Sequence, residues 1–402
     1  MLSQKTIDIV KSTAPVLEER GKDITTHFYK SMFAAHPELL DIFNHANQQQ
    51  GRQQTALATT VYAAARYIDQ LEVLIPAVTQ ISHKHRSLGV KAEHYPIVGE
   101  FLLKAIKEVL GDAATDEIID AWAEAYGVIA KIFIDTEAGM YREASEQLGG
   151  WMDFKEFEVA DKVEESSLIT SFYFKPKDGS QVPAYKPGQY ITIKLHIPGE
   201  KNIVNRQYSL SAAPGQDYFR ISVKREADHE PAGKASNYLH GHVNKGDVVE
   251  LSAPAGDFYL DVDNEAPVAL ISGGVGITPM MSMLETLAAK NSKREIVFIH
   301  AARNEAAHAF KEHTQQMVKE LANARSYVAY DKKTDEQTMC DVEGRISAEF
   351  LKEVISSDSI CYVCGPVPFM GAVIGHLSQN GIPEDRIKFE FFGPAVELSK
   401  AQ

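Results

Sequence analysis

Cysteine is scarce in this chain: Cys340, Cys361 and Cys364 are the only three in 402 residues. So small and odd a number argues against a disulfide framework and suits a reducing compartment, so a cytoplasmic location is expected. Cys361 and Cys364 have CxxC spacing, but no second pair completes a metal site, and the apolar run Ile360-Cys361-Tyr362-Val363-Cys364 reads as a buried strand. Long apolar runs are also missing. One uncharged stretch that approaches membrane-spanning length, Ala266 to Leu284, is broken by Gly273, Gly274, Gly276 and Pro279 into strand, loop and helix, which argues against a membrane span. There is no block of five basic residues, and the net charge is −14, so neither nucleic acid nor an anionic membrane is expected as a partner. The first twenty residues carry Lys5, Asp8, Lys11, Glu18, Glu19 and Arg20, which makes them an amphipathic helix rather than the apolar core of a signal peptide. No internal repeat or low-complexity segment is present.

What is present divides by pattern. At about 150 residues per domain the length predicts two or three domains. From Ser3 to about Leu148 the apolar spacing is helical, with Gly51, Pro76, Gly89, Pro96 and Gly111 at expected helix ends. Gly149-Gly150 marks a junction. Beyond it come short alternating segments, 157–159, 169–174, 189–195, 207–210 and 219–223, which predict an antiparallel barrel up to about Phe258. From Pro267 strands alternate with helices: 268–272 precedes a helix from about Thr278, 295–300 precedes another, and 360–364 precedes one near Pro368. That order predicts a doubly wound parallel sheet. The expected fold is therefore an all-α domain over 1–148, an antiparallel β-barrel over 151–262 and an α/β domain over 263–402.

Within the helical part, Val78, Ile81, His85 and Leu88 share one helix face, so His85 points inward while His83 points nearly the opposite way. An inward histidine is either a hydrogen-bonded core residue or a metal ligand. Gln53 opens the stripe continued by Leu57 and Val61 and needs a partner for its amide. Ile24, Phe28 and Met32 form a further stripe beside Tyr29, and Phe43 carries aromatic bulk into a helix corner. Apolar walls, a histidine and one or two hydrogen-bond donors are what a haem pocket holding dioxygen requires.

In these residues the first 146 positions resemble the globin domain of bacterial flavohaemoglobins. The resemblance implies that His85 is the proximal ligand of a haem b iron, that Phe43 packs on the haem and that Tyr29 hydrogen-bonds the bound dioxygen, with Gln53 and Leu57 lining the distal side. It also implies that Tyr95 and Glu137 form a hydrogen-bonded relay with His85. Taken singly, each has an ordinary alternative: a core tyrosine at 29, a helix-start anchor before Pro96 at 95, a solvated helix carboxylate at 137.

Arg206-Gln207-Tyr208-Ser209 lies on a predicted strand, where alternation puts Arg206 and Tyr208 on one face and Gln207 and Ser209 on the other. Arginine supplies a forked charge for phosphate, tyrosine a plane for a flavin ring, and serine a hydroxyl for a ring nitrogen. Lys186 to Tyr190 upstream and Gly233 to Asn237 downstream offer small residues and amides for a second phosphate contact. Gly273-Gly274-Val275-Gly276-Ile277-Thr278-Pro279 follows an apolar strand and opens a helix, so its backbone can approach a pyrophosphate; proline stands where the usual fingerprint has a third glycine. This half resembles the ferredoxin-NADP reductase superfamily, and the reductase module of flavohaemoglobins in particular, over about Trp151 to Gly393. The resemblance implies FAD contacts from Tyr190, Arg206, Gln207, Tyr208 and Ser209, a second nucleotide-side turn at Cys364-Gly365-Pro366, and a tail Phe391-Phe392-Gly393-Pro394 near the flavin ring.

Together the two resemblances imply a nitric oxide dioxygenase that passes electrons from NADH or NADPH through FAD to haem and converts NO and O2 to nitrate, acting alone as a monomer. The alternatives are a haem-linked NAD(P)H oxidase or ferric or flavin reductase, and an oxygen store or sensor. Arg303 and Glu305, after the second sheet strand, offer both signs of charge to an adenine ribose, so use of both nucleotides is expected.

Overall fold

The computed structural model describes residues 2–43, 48, 50–227 and 232–392. The first part is helical: α1 (Gln4–Ser12), α2 (Ala14–Ala35), α3 (Arg52–Arg66), α4 (Ile75–Leu88), α5 (His94–Leu110) and α6 (Asp116–Glu146). Local chemistry sets their ends. Ser3 and Thr115 cap α1 and α6 by accepting the amides of Thr6 and Ile118, Pro15 and Pro76 sit in the first turns of α2 and α4, and Gly89 ends α4 in the left-handed region. The N-terminal amphipathic stretch is thus two helices broken at Thr13. Ile24, Phe28, Met32, Ala65, Ala105, Ile106, Trp122 and Ala125 are buried at the centre of one core, while Val78, Tyr95, Ala130 and Phe133 form a second, smaller cluster. Tyr126 and Ile129 of α6 pack against both.

At the junction Gly149 has φ +76, and a Cβ there would stand 2.2 Å from the Gln181 carbonyl. Only glycine permits this turn from α6 into the sheet. The next six strands, β1 (Phe154–Glu164), β2 (Ile169–Pro176), β3 (Tyr190–Leu195), β4 (Val204–Ser209), β5 (Phe219–Lys224) and β6 (Val248–Ser252), pair in the order β4-β3-β6-β1-β2-β5. The paired neighbours are antiparallel. The two ends of that order meet at the Leu210–Ile221 bridge and at Ser211 N–H to the Arg220 carbonyl, 2.8 Å, which curls the sheet into the expected barrel. Its inside is filled by Phe157, Phe172, Phe174, Ile191, Phe219 and Leu251. The helix α7 (Lys234–His242) lies between β5 and β6 in sequence.

The last part is a parallel sheet of β7 (Val268–Gly273), β8 (Ile296–Ala302), β9 (Ala324–Tyr330), β10 (Val342–Glu343), β11 (Ile360–Cys364) and β12 (Ile387–Glu390), in the order β10-β9-β8-β7-β11-β12. Helices α8 (Ile277–Ala289), α9 (Lys311–Glu320), α10 (Ala348–Val354) and α11 (Val367–Gln379) connect the strands. Every residue of β7 is buried, as expected of a strand covered on both faces. Cys361 and Cys364 are buried in β11 as free thiols, and burial holds both thiols neutral. They serve packing. No helix among the described residues is long and apolar enough to cross a membrane.

Candidate redox sites and the seam between them

The helix α4 has two working faces. On one, His85 Nδ1 lies 2.7 Å from Glu137 Oε1, and the Tyr95 hydroxyl donates to the same oxygen at 2.7 Å while standing 3.2 Å from Nδ1. A carboxylate accepts only, so it selects the tautomer with the proton on Nδ1 and leaves the lone pair on Nε2. That is the chemistry of a histidine prepared to bind a metal, with an outer carboxylate making the imidazole a stronger donor. The Glu137 side chain is 4% exposed, so the solvated alternative for it does not hold. Burial and the adjacent carboxylate push the Tyr95 hydroxyl far above its ordinary range and keep it a donor. Phe133 lies 5.8 Å from the His85 ring, and the Tyr126 hydroxyl donates to the Tyr95 carbonyl at 2.6 Å, so the relay is braced from α6.

Tyr29, Phe43 and Leu57 belong to the larger helical core. Tyr29 is 6% exposed, packed edge-on to Phe43 at 5.9 Å and stacked on Phe33 at 5.7 Å. Its hydroxyl has Gln53 as hydrogen-bond partner, which answers the question of where that amide goes, and burial raises it well above its usual range. The five residues expected to surround a haem thus fall on two adjoining walls: His85 on one, and Tyr29, Phe43, Gln53 and Leu57 on the other.

The opposite face of α4 is not solvated. Arg86 is buried and donates to the carbonyls of Ala253 (3.2 Å) and Pro254, and the Ser87 hydroxyl receives Gln207 Nε2 at 2.7 Å and bonds Thr192 Oγ1 at 3.1 Å. The helix that carries His85 therefore rests on the strand that carries Arg206 to Ser209. A second seam lies at Asp41, two residues before Phe43. Its carboxylate accepts Asn202 Nδ2 (3.1 Å) and Ile203 N (2.9 Å), and its carbonyl accepts Asn205 Nδ2 at 2.7 Å. Sequence reading missed Asp41, Arg86 and Ser87, because a polar helix face looks the same whether water or another domain covers it.

In the barrel, Tyr190 pairs with Ser209 across β3 and β4, and its buried hydroxyl stands beside Ser87 without a hydrogen bond of good geometry. A buried hydroxyl left this way asks for an acceptor that the protein does not supply. Arg206 is half-buried, held by the Asn205 carbonyl at 2.7 Å, and burial lowers its pKa; Tyr208 packs on the barrel core. Gly233 to Asn237 begins α7, and the Ser236 and Asn237 side chains both donate to the Gly233 carbonyl, so those polar groups are engaged within the first turn.

Glu390 closes β12 nearby. Burial drives its carboxyl up to about 7, with Lys84 lowering it and Asp257 raising it. Phe391 packs into the core of the parallel sheet beside Phe389 rather than lying open, while Phe392 is 48% exposed. Gly393 and Pro394 lie outside the described residues.

Gly273 ends β7 and Gly274, at φ +54, begins a 3-10 turn through Gly276 that leads into α8. A Cβ on Gly276 would stand 2.2 Å from the Cys364 carbonyl, so the two nucleotide-side turns touch where β7 and β11 diverge in sequence. Such a switch point, outside the carboxyl ends of parallel strands, is where open α/β sheets bind ligands. Ile277 faces the core, and the Thr278 hydroxyl is taken by the Val275 carbonyl at 3.1 Å, leaving the backbone of 274–276 as the approachable element. Glu305 departs from expectation. Its carboxylate receives the Thr334 hydroxyl and amide and the Thr338 hydroxyl, bonds that hold it down at about 2, so it braces the 334–338 loop. A wide cleft of about 910 Å³ between Lys186, Asp261, Lys290 and Lys388 is lined also by Asp257 and Phe389, but not by Tyr190, by 206–209 or by the glycine turn 273–278.

Each of the three parts of the chain matches a known family. Residues 26–133 match the Globin family model, 156–259 the oxidoreductase FAD-binding domain and 270–374 the oxidoreductase NAD-binding domain. A Flavohemoprotein of Bacillus cereus is 57% identical over 99% of this chain and 100% of its own, and that of Bacillus subtilis is 50% identical over the whole of both. The chain belongs to the flavohaemoprotein family. Flavohemoprotein A of Dictyostelium discoideum is 48% identical over 99% of this chain and 100% of its own. Among solved structures, the flavohemoglobin of Malassezia yamatoensis with bound FAD and haem superposes with a TM-score of 0.86 at 29% identity, covering 98% of this chain and 100% of that one. The FAD/NAD-binding domain of nitric oxide dioxygenase from Vibrio cholerae covers 60% of this chain and 99% of its own, at a TM-score of 0.55 and 40% identity. Family membership accounts for the order globin, barrel, parallel sheet along one chain.

Proposed function

We propose that this chain is an NAD(P)H-dependent nitric oxide dioxygenase of the cytoplasm, active as a monomer, with haem b held in 1–148, FAD in 151–262 and the nicotinamide nucleotide in 263–402. One observation carries the reading: His85, hydrogen-bonded through Nδ1 to Glu137, sits on a helix whose next two residues hold the barrel, Arg86 at the Ala253 and Pro254 carbonyls and Ser87 at Gln207 of the flavin strand. An oxygen store has no need of that docking. When bound, FAD would supply two-electron chemistry toward the nucleotide and haem one-electron chemistry toward the gas ligands.

The protein's part is to hold and orient. His85 Nε2 offers its lone pair to the iron, and Glu137 holds the Nδ1 proton and keeps the ring electron-rich. Tyr29 would offer its hydroxyl proton to the distal side of the haem, with Gln53 fixing the phenol, while Phe43 and Leu57 would keep water out. Arg206 would pair with flavin phosphate, Tyr190 and Tyr208 would offer aromatic surface to the ring, Gln207 and Ser209 would supply polar contacts, and Phe392 a cover. The backbone of Gly274 to Gly276 cradles the nucleotide pyrophosphate. With Glu305 engaged by threonines, Arg303 is the residue expected to tell the two nucleotides apart, and both are accepted. The overall reaction consumes two NO and two O2 per NAD(P)H and yields two nitrates. Simultaneous recording of NO, NADH and nitrate tests it: nitrate should appear in step with NO loss, and NADH oxidation that spares NO would refute it in favour of an oxidase.

A further inference from the structure

A buried ion pair spans the boundary between the barrel and the parallel sheet. Arg220 stands on β5 and Glu285 on α8, with Nη2 2.6 Å from Oε1 and side chains only 7% and 14% exposed. Both carboxylate oxygens and the arginine's Nε and Nη2 are engaged. Glu285 Oε2 accepts the Ala213 amide at 2.8 Å, and Oε1 also meets His313 Nε2 of α9 at 2.8 Å. Arg220 donates through Nε to Ser211 Oγ at 3.1 Å and through Nη2 to the Ser211 carbonyl. One turn before Glu285, Ser282 donates to the Ala212 carbonyl at 2.6 Å. Three consecutive residues, 211 to 213, are therefore gripped by α8 or by the arginine bonded to it.

The location gives the grip its meaning. Residues 211–213 continue directly from the flavin strand, which ends at Ser209, and α8 continues directly from the glycine turn that ends at Gly276. A buried ion pair is weak evidence for stability, since apolar residues of the same shape hold two surfaces together as well. What a multiply bonded pair supplies is one fixed register. Hydride transfer needs reacting atoms about 3–3.5 Å apart, and a displacement near 1 Å lowers the rate by about a hundredfold.

We propose that Glu285 and Arg220 are positioning residues for hydride transfer, a strut that sets the nucleotide turn in register with the flavin strand. The proposal rests on the function assigned above, in which a hydride carrying both electrons leaves the dihydronicotinamide ring, which is oxidised, and enters the flavin ring, which is reduced. Neither side chain touches the reacting atoms.

The test uses full-length holoprotein and anaerobic stopped-flow reduction of the flavin by saturating NADH and by NADH deuterated at the transferred position. Glu285→Gln keeps an acceptor for Ala213 but removes the charge facing Arg220. We expect its FAD content to stay normal, its NADH affinity to change less than about twofold, its flavin reduction to slow about tenfold, and its isotope effect to differ from wild type. Glu285→Asp, which restores the charge on a shorter arm, should recover part of the rate. If Glu285→Gln fails to accumulate, Ser282→Ala carries the test, with a slowing of about threefold at unchanged FAD content. Variants that reduce their flavin at the wild-type rate with the wild-type isotope effect, or whose slowing is matched by loss of FAD, overturn the strut alone. Wild-type flavin that neither NADH nor NADPH reduces overturns the functional reading and the strut with it.

Discussion

Glu137→Gln isolates the charge behind His85 at nearly constant shape. In the native protein one oxygen, Oε1, accepts both His85 Nδ1 and the Tyr95 hydroxyl at 2.7 Å, in a side chain 4% exposed. Glutamine can still accept from Nδ1 through its amide oxygen, but the bond becomes a neutral one. A charge-assisted hydrogen bond is worth about 1.5–3 kcal/mol and a neutral one about 0.5–1.5, so roughly 1–1.5 kcal/mol of stabilisation of the more positive iron is lost. For a one-electron couple, at about 59 mV per tenfold in the equilibrium constant, that raises the ferric/ferrous haem midpoint by about 40–65 mV. Spectroelectrochemical titration of the holoprotein reads this directly. Tyr95→Phe should shift it the other way or leave it unmoved, because removing the tyrosine frees Oε1 for a stronger bond to His85. A midpoint that stays put or falls in Glu137→Gln would refute the claim that this carboxylate tunes the imidazole.

Tyr29→Phe keeps the ring contacts with Phe33 and Phe43 but deletes one buried donor; at about 1–3 kcal/mol, dioxygen should dissociate roughly 5- to 150-fold faster, measured by ligand-displacement stopped flow. Asp41→Ala removes the acceptor of Asn202 and Ile203, so haem reduction within the chain should slow while NADH oxidation with an artificial acceptor is kept. Glu390→Gln probes a carboxyl raised from its ordinary 4.5 to about 7 by burial. The folded state binds the extra proton, so this group's contribution to stability is fully present below pH 4.5 and is lost as pH rises through about 7. Thermal unfolding should therefore show the variant more stable than wild type at pH 8, with the two converging near pH 4.5; a constant difference across that range would contradict the assignment.

How much of this was legible in the sequence depends on where each signal lies. Periodicity located His85 on an inward face and separated helices from strands at Gly149-Gly150, because burial of one face leaves a regular imprint on the residues that make it. The short strands β6, β10 and β12 and the helix α7 left too little imprint to be placed, and β9, though seven residues long, was not placed either. The polar groups that join the parts left none: Asp41, Arg86, Ser87, Arg220 and Glu285 are ordinary charged or hydroxyl residues until the partner surface is known. Glu137 could be linked to His85 only through family resemblance, since 52 residues separate them and the contact depends on how α6 crosses α4. Glu305 shows the opposite error. An acidic residue in the expected place looked ready for a ribose, and the threonines that occupy it, Thr334 and Thr338, come from a loop about thirty residues away in sequence.

The central claim is that the two halves act as one electron path, through a helix shared by the haem histidine and the flavin seam. Anaerobic mixing of NADH with the holoprotein, followed at flavin and haem wavelengths in one stopped-flow trace, tests it most directly. The account predicts that the flavin bleaches first and that ferrous haem then forms at full yield; a fully reduced flavin beside haem that stays ferric would contradict it.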